Sequence, residues 1–257
     1  MHARYDQHYL VSDEAADAIV AAAGVRAGGA VIEIGPGRGI LTGRLLDAGA
    51  RLTAVEVDRR LVAHLEGRFS SPSFSLLHAD WLKLDLAGLP TPATVVSNLP
   101  YSVASPILRK LLDWPGWRSA VLMFQREVAD RILAWPGTKA YGLLSLSVRI
   151  KADASLVRVV SADCFRPQPK VESAVVRLER LARPRLPEDV SERAFFAVVR
   201  AAFGQRRKMA AKAVAGNMGL PRAEVEAAFR ASGVPPSVRA EDIGLESFIA
   251  LARALRR

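Results

Sequence analysis

The segment Asn98-Leu99-Pro100-Tyr101 has residue types that suit one chemical problem, and it follows an apolar run over 93–96 that predicts a buried strand. The exocyclic amine of adenine is a poor nucleophile, because its lone pair is delocalised into the ring. The Asn98 side-chain oxygen and the Leu99 carbonyl can accept the two amine hydrogens, and the Tyr101 ring can stack on the base. Pro100 restricts the backbone on both sides of itself. The pattern therefore predicts a site that methylates an adenine amine, with an ordinary strand-to-loop exit as the alternative.

A glycine-rich segment, Gly35-Pro36-Gly37-Arg38-Gly39, comes between an apolar strand pattern and a helical pattern. Glycines here let the backbone turn tightly and approach a ligand closely. The segment lacks the dinucleotide fingerprint, because Ile40 stands where a third glycine or alanine is required, and it has no Walker lysine. We expect it to bind part of a nucleoside-containing cofactor. A tight strand-to-helix turn without a ligand is the alternative.

Two acidic residues end the next two strand patterns. Glu56 follows Gly35 by about 20 residues, the distance at which nucleotide-binding folds place a carboxylate on ribose hydroxyls. Asp80 ends the third strand pattern and can accept from the adenine amine of a cofactor, with Trp81 beside that ring. The alternatives are a solvated strand end for Glu56, and a capping aspartate with a core tryptophan for the other pair.

Strand and helix patterns alternate from about residue 31 to residue 181, which predicts an α/β fold with a mostly parallel, Rossmann-like sheet. No helical pattern separates the last two strands, so we expect the last strand to run antiparallel. The strands are predicted over 31–34, 52–57, 74–78, 95–96, 121–124, 156–160 and 174–178. The helices of this region are predicted over 40–48, 60–69, 105–112 and 126–134.

Gly35, Glu56, Asp80 and Asn98 therefore fall at the carboxyl ends of four successive strands. Open α/β sheets bind their ligands at that edge. The conjunction predicts S-adenosylmethionine beside a substrate adenine, with direct in-line transfer of the sulfonium methyl to N6. Orientation and preorganised electrostatics supply the rate in this scheme. No strong general base is needed, because the methylated product loses its proton readily to water.

Two further segments fit this site. Gln7-His8-Tyr9-Leu10 precedes the first long helix and is placed to fold over the donor. A plain lead-in to a helix capped by Ser12 is the alternative. Phe165 begins a proline-spaced loop, 165–171, and is expected to form the second face of a base sandwich with Tyr101. A hydrophobic plug in a structural turn is the alternative.

A proline-containing linker over 182–187 precedes helical patterns only. We therefore predict a catalytic domain over residues 1–183 and a small helical, RNA-binding domain over 184–257. The run 205–208 is predicted to lie in the long helix of this second domain, with basic side chains on one helical face, and a solvated face is the alternative. The residues expected to contact RNA phosphates are Arg200, Arg206, Arg207 and Lys208.

The chain has 257 residues and a formal net charge of +10, which favours a polyanionic partner such as nucleic acid. The single cysteine, Cys164, excludes an intrachain disulfide or a cysteine-rich zinc site, and the four histidines show no ligand spacing, so no metal is implied. The start of the chain has no apolar signal core, and no run of about 18 apolar residues occurs. We expect a cytoplasmic protein.

Over essentially its whole length the chain resembles the ribosomal RNA adenine N6,N6-dimethyltransferases that act on small-subunit rRNA. The resemblance implies a set of residues that contact the methyl donor, given at the end of this paragraph, and to these we add Gly37 and Trp81. One member of the set, His8, stands where the family usually has asparagine. It also implies a substrate of two adjacent adenosines in the loop of the 3′-terminal rRNA hairpin, on immature small subunits, and we expect a monomer. The motifs that carry it are 7–10, 33–39, 56–58, Asp80, 98–101, 165–171, 203–208 and 239–242. The implied donor contacts are His8, Leu10, Gly35, Glu56, Asp80 and Asn98.

Three alternatives remain at this stage. The 23S-rRNA methyltransferases that confer macrolide resistance share most of these motifs, although they more often carry Asn-Ile-Pro-Tyr. DNA adenine methyltransferases share the logic of the Asn98 segment, but Leu99 replaces their first proline and no large target-recognition insertion is present. A non-catalytic RNA-binding assembly factor of the same fold is the third, against which the intact donor motifs argue.

Overall fold

A computed structural model describes residues 8–205 and 207–255. The chain forms two compact units, one from Met1–Ala129 with Asp153–Arg180 and the other from Asp130–Ala152 with Leu181–Arg257. None of the helices in the described residues is long and apolar enough to cross a membrane.

The strands are β1 Tyr9–Leu10, β2 Ala30–Ile34, β3 Arg51–Glu56, β4 Phe74–His78, β5 Ala93–Asn98, β6 Trp117–Gln125, β7 Ala152–Val160, β8 Phe165–Arg166 and β9 Ser173–Arg180. All seven predicted strands are present, several of them longer than predicted, and the two short strands β1 and β8 were not predicted. The α-helices are α1 Asp13–Ala23, α2 Ile40–Asp47, α3 Arg59–Arg68, α4 Ala104–Asp113, α5 Arg126–Leu133, α6 Leu143–Arg149, α7 Glu192–Phe203, α8 Ala210–Met218, α9 Arg222–Ala231 and α10 Leu245–Ala254.

Seven of the strands form one sheet in the order β4-β3-β2-β5-β6-β9-β7. The strands from β4 to β6 pair in parallel, and β9 pairs with β6 in the antiparallel direction. This confirms the predicted α/β class and the antiparallel last strand. The order of connection reverses between β2 and β5, and doubly wound sheets bind their ligands at the carboxyl ends of such a pair.

The register of the strands aligns their carboxyl ends. Ile34 lies beside Val55, and Glu56 lies beside His78. The backbone N–H of Gly35 donates to the Val55 carbonyl (2.9 Å), which carries the alignment one residue past the end of β2. The four loops that carry the predicted donor and acceptor residues therefore leave one edge of the sheet.

A second, two-stranded sheet lies outside the sequence prediction. β1 and β8 pair antiparallel, with Tyr9 opposite Arg166 and Leu10 opposite Phe165. The next element, α1, begins as expected, because the Ser12 hydroxyl accepts from the backbone N–H of Ala15 (3.2 Å) and so caps the helix. The segment before α1 is therefore a paired strand, and the cap after it is the predicted one.

The second unit is helical, but it contains more of the chain than the predicted domain of residues 184–257. Its buried core joins side chains of α7 to α10 with Ala134, Tyr141, Leu146 and Ile150. The segment 130–152 therefore belongs to the helical unit because its apolar side chains complete that core. A single boundary near residue 183 does not describe this division of the chain.

The end of α7 also differs from the prediction. The helix ends at Phe203, and Gly204, Gln205 and Arg207 lie in a turn before α8. The backbone N–H of Gly204 closes the last helical turn on the Arg200 carbonyl (2.9 Å), and the Asn217 side chain donates to the Ala201 carbonyl (2.8 Å). A side chain at position 204 would meet the Asn217 amide at 2.7 Å, so the glycine lets Asn217 satisfy the carbonyl end of α7.

Candidate active site

A pocket of about 1060 Å³, counting its open mouth, lies at the carboxyl ends of β2 to β5 in the first unit. All the residues predicted to contact the donor line this pocket, and so do all four residues of the motif that begins at Asn98. The lining residues that were predicted are His8, Leu10, Gly35, Gly37, Glu56, Asp80, Trp81, Asn98, Leu99, Pro100 and Tyr101. The structure therefore brings these predicted residues together in one crevice.

Two glycines of this turn come close to neighbouring rings, and the first of them, Gly37, lines the pocket. Gly37 has φ +59°, and a side chain there would meet the Tyr9 ring at 3.3 Å. Gly39 has φ +82°, and a side chain there would come within 2.5 Å of the Phe69 ring. Each position combines a left-handed backbone with close contact, which explains why glycine occupies it.

Glu56 is buried and held by backbone N–H groups. One carboxylate oxygen accepts from Val57 (2.8 Å) and Asp58 (2.9 Å), and the other accepts from Gly37 (3.3 Å). Burial raises the pKa of the carboxyl group, and the backbone donors oppose that effect. These contacts fix the carboxylate at the end of β3 and leave it lone pairs for ligand hydroxyls.

Glu33 is a second buried carboxyl group on the pocket lining, with 1% of its surface exposed. The Thr42 hydroxyl donates to its Oε2 atom (2.7 Å). Burial raises the pKa of Glu33 to about 8, the charge of Glu56 adds to this effect, and the Thr42 hydrogen bond opposes it. No role for Glu33 is predicted from the sequence, although an acidic residue inside an otherwise apolar strand is itself a signal of a buried polar site.

Asp80 and Trp81 combine a structural role with access to the pocket. The Asp80 carboxylate accepts from the backbone N–H of Leu82 (2.9 Å), so part of the capping alternative is correct. Trp81 packs edge-on against Trp114, with 6.5 Å between ring centroids. The buried indole N–H of Trp81 has no hydrogen-bond partner among the described residues. An unsatisfied buried donor beside a pocket is a place where a ligand acceptor fits.

Asn98 is oriented through its amide nitrogen, which donates to the backbone carbonyl of His8 (3.1 Å). Within the described part of the chain, no hydrogen bond reaches the Asn98 side-chain oxygen or the Leu99 carbonyl. Pro100 has φ −59° and precedes a single 3₁₀ turn, Tyr101–Val103. Two carbonyl oxygens thus remain available as acceptors on a backbone that the proline restricts.

Tyr101 is half-buried, and its hydroxyl forms a hydrogen bond with the Ser173 hydroxyl (2.7 Å). Burial raises the pKa of Tyr101 above its ordinary value, so the phenol stays neutral at physiological pH. The ring that accompanies it is His8, at a centroid distance of 5.4 Å and a tilt of 30°. The His8 ring is held in turn by contact of Nδ1 with the Pro167 carbonyl (2.7 Å).

The predicted sandwich of Tyr101 and Phe165 is not present. Phe165 is fully buried and packs in the core cluster that contains Leu10 and Ile19. The cause is the pairing of β1 with β8, which sets Phe165 opposite Leu10 and turns it away from the pocket lining. In this structure Phe165 supports β1 from beneath, as the plug alternative describes.

The ring of Tyr9 also lines the pocket, beside His8 and the glycine turn, and no role for it is predicted from the sequence. The Arg38 guanidinium lies over this ring, 4.7 Å from its centroid. The contact holds β1 against the glycine turn, because the two residues come from these two segments. Tyr9 carried no signal of its own, since a cation–π contact joins residues that only the fold brings together.

The residues predicted to bind RNA phosphates do not all lie on one helix. Arg200 is exposed on α7, whereas Arg207 and Lys208 are exposed on the turn after it. The argument that all share one helical face is therefore wrong, because α7 ends at Phe203. Arg206 lies outside the described residues, and so does Gln7 of the first motif.

Residues 1–256 match the family described as ribosomal RNA adenine dimethylase. The chain belongs to this family. A ribosomal RNA small subunit methyltransferase A from Clostridium acetobutylicum is 39% identical over 99% of this chain and 93% of its own length. The resemblance to adenine dimethyltransferases is thereby confirmed. The chain is an S-adenosylmethionine-dependent enzyme that dimethylates adenine in ribosomal RNA.

Solved structures of similar proteins agree with this membership. A dimethyladenosine transferase from Plasmodium falciparum matches with a TM-score of 0.81 at 24% identity, over 95% of this chain and 96% of its own, and shows the fold. The 23S rRNA methyltransferase ErmE matches with a TM-score of 0.72 at 29% identity, over 97% of this chain and 100% of its own. The family fold therefore covers both units.

Proposed function

We propose that this enzyme methylates N6 of two adjacent adenosines in the loop of the 3′-terminal hairpin of small-subunit rRNA. The observation that carries the proposal is the pair of available acceptors, the Asn98 side-chain oxygen and the Leu99 carbonyl, in the same pocket as Glu56 and the glycine turn. The choice of the small subunit is supported by the name of the relative from Clostridium acetobutylicum. We further propose that it acts as a monomer on immature small subunits in the cytoplasm.

The pocket suits the methyl donor, which when bound supplies an electrophilic methyl group. Glu56 would accept from its ribose hydroxyls, and Asp80 from its adenine amine. The unsatisfied indole N–H of Trp81 offers a donor to the same end of the molecule. Gly35 and Gly37 would let backbone approach the methionine end, where His8 and Leu10 also line the pocket.

Asn98 and Leu99 would act on the substrate amine. Their two oxygens accept its two hydrogens, which turns the nitrogen lone pair out of the ring plane and toward the methyl group. The His8 carbonyl holds the Asn98 amide so that the oxygen, not the nitrogen, faces the amine. These acceptors favour the nitrogen as it becomes tetrahedral and positive, and one such preorganised hydrogen bond contributes roughly 10²- to 10³-fold in rate.

Tyr101 would hold the unpaired target base by stacking, and Pro100 keeps it beside the acceptors. Because the pKa of Tyr101 is raised, its hydroxyl is not a base near neutral pH. The proton of the methylated amine therefore leaves to water. Phe165 keeps a supporting role, since its burial under Leu10 stabilises β1 and hence the His8 carbonyl.

We assign binding of the donor and the adenine to the first unit. To the helical unit we assign contacts with the RNA backbone, through Arg200, Arg207, Lys208 and the neighbouring Arg206. Target adenosines in a loop agree with the general way in which proteins read RNA, through splayed single-stranded bases.

The substitution Asn98→Ala tests whether the Asn98 side-chain oxygen acts as an acceptor for the substrate amine. At saturating S-adenosylmethionine, so that a weaker donor contact does not contribute, we expect single-turnover methyl transfer to the hairpin to fall by roughly 10²-fold or more, while RNA binding is unchanged. Ser102→Ala is the matched control, because Ser102 is exposed, four residues after Asn98 and next to Tyr101. Near-normal transfer by the Asn98→Ala enzyme would remove Asn98 from the mechanism.

A further inference from the structure

Trp135 differs from the other tryptophans of this chain. It is 67% exposed, whereas Trp81, Trp114 and Trp117 are at most 6% exposed. Exposure of an indole this large is costly in water, because it leaves a wide apolar face unburied. Nothing in the methyl-transfer site uses this residue, which lies in the helical unit.

The backbone holds Trp135 in a rigid turn. Its carbonyl accepts from both the backbone N–H (3.3 Å) and the hydroxyl (2.8 Å) of Thr138. Between them, Pro136 and Gly137 occupy the centre of the turn, and Gly137 has φ +86° as a type II turn requires. The Gly137 N–H donates to the Glu241 carbonyl (2.8 Å), which ties the turn to the segment before α10.

One face of the indole is already covered. The Arg149 guanidinium lies 3.5 Å from the centroid of the Trp135 ring. Its Nη2 atom also donates to the Ala134 carbonyl (3.0 Å), at the end of α5. The guanidinium is therefore fixed between the helix end and the ring, and the exposed surface of Trp135 belongs to its other face and edges.

We propose that the free face of Trp135 is a stacking platform for an unpaired base of the RNA, separate from the adenine that is methylated. The ring is flat, rigidly held and backed by a cation, which are the properties of aromatic platforms for single-stranded nucleic acid. The proposal rests on the family's action on RNA and goes beyond the hairpin assignment above.

The surroundings of Trp135 favour RNA over a protein partner. In the described part of the helical unit, Met209 is the one other large apolar side chain that is strongly exposed, and two such side chains are fewer than a typical apolar protein-binding patch contains. The segment 126–149 carries four basic and two acidic residues, within a chain of net charge +10. An aromatic ring backed by Arg149, in a segment of net positive charge, complements a base and its phosphates better than it complements an apolar protein surface.

Fluorescence gives a direct test, because Trp135 is the one exposed tryptophan of this chain and the other three are buried. Full-length enzyme, saturated with S-adenosylhomocysteine to fix the signal of Trp81, is titrated with a single-stranded oligoadenylate and with a duplex RNA of equal length. We expect the single strand to quench the emission, and we expect Trp135→Phe to abolish that quenching. Neither RNA is the proposed hairpin, so the outcome does not depend on the identity of the methylation target.

Binding measurements with substitutions of Trp135 distinguish stacking from charge. Trp135→Ala is expected to weaken oligoadenylate binding roughly 5- to 100-fold, while Trp135→Phe loses much less. Trp135→Lys adds a positive charge, so it weakens binding if the ring stacks and strengthens binding if the contact is only electrostatic. Circular dichroism melts check that each variant is folded, and Leu156→Ala, at an exposed apolar residue of β7, serves as the matched control.

Two results would overturn the proposal. One is equal quenching by duplex and single strand, which would indicate a backbone contact. The other is unchanged RNA affinity in Trp135→Ala, which would leave a protein partner as the explanation for the exposed ring.

Discussion

At the scale of single residues, the site depends on how each polar group is held in place. The amide nitrogen of Asn98 donates a hydrogen bond to the His8 carbonyl, and the Glu56 carboxylate accepts hydrogen bonds from three backbone N–H groups. In both cases one set of hydrogen bonds fixes the group, and the remaining lone pairs face the pocket. Preorganisation of this kind is the main route by which a site without a strong base accelerates methyl transfer.

The chemistry of these residues was predictable, whereas their partners were not. The residue types of the Asn98 segment indicate amine recognition by themselves. The pairing of His8 with Tyr101 and the burial of Phe165 depend on β1 and β8, which lie about 155 residues apart in the sequence. A residue type states what a side chain can do, but only the fold states which ring lies beside it.

Glu33 carries a prediction about stability. Its pKa is raised to about 8 in the folded protein, so the folded state binds a proton that the unfolded state has lost above about pH 4.5. The stability of the wild type should therefore fall as pH rises through this window, by at most about 1.4 kcal/mol per pH unit, and level off above pH 8. The substitution Glu33→Gln keeps an acceptor for the Thr42 hydroxyl, and its stability should not fall with pH in this way because glutamine does not ionise.

Urea unfolding of the first unit, followed by the three buried tryptophans, measures the effect at pH 5 and pH 8. We expect Glu33→Gln to be more stable than wild type at pH 8, by a few kcal/mol, and closer to it at pH 5. Glu66→Gln, at an exposed position of α3, is the control. Stability profiles that run parallel with pH would show that Glu33 is ionised in the folded protein.

At the scale of elements, the sequence predicts the central strands and most helices well. Hydrophobic runs of four to nine residues with turn signals between them are strong patterns, and the antiparallel direction of β9 follows from the missing crossover helix. The two-residue strands β1 and β8 have no periodicity to detect. The end of α7 was missed because basic residues continue past Gly204, and one glycine inside a helical pattern is a weak stop signal.

The turn after α7 supports a second prediction, on RNA binding. The double reversal Arg207→Glu with Lys208→Glu should weaken RNA binding and flatten its salt dependence, because each lost phosphate contact lowers the slope of log K against log salt by roughly 0.7 to 0.9. The reason is that fewer counterions are released when fewer phosphates are neutralised. Filter binding at several salt concentrations measures this slope.

A control of equal charge separates this local effect from the effect of net charge. Arg26 and Arg51 are exposed near the amino end of β3, at the sheet edge opposite the pocket, so reversal of both should leave the slope close to wild type. If the two double variants changed the slope equally, the turn would have no specific part in RNA binding.

At the scale of the whole molecule, the class of partner is easier to predict from the sequence than the division of the chain into two units. The composition and the net charge of +10 indicate a polyanionic partner without reference to any fold. The division of the chain is hard to predict from the sequence, because apolar residues such as Leu146 and Ile150 show the same pattern whichever core they are buried in. The linker near residue 183 marks only one of the places where the chain crosses between units.

The central claim is tested most directly by mass spectrometry of rRNA after reaction with the enzyme and S-adenosylmethionine. Immature small subunits, large-subunit rRNA and duplex DNA are the substrates, and Asn98→Ala provides the background. The account predicts N6,N6-dimethyladenosine at two neighbouring positions of the 3′-terminal small-subunit fragment and at neither of the other substrates. Dimethylation confined to large-subunit rRNA, or none on any substrate, would contradict it.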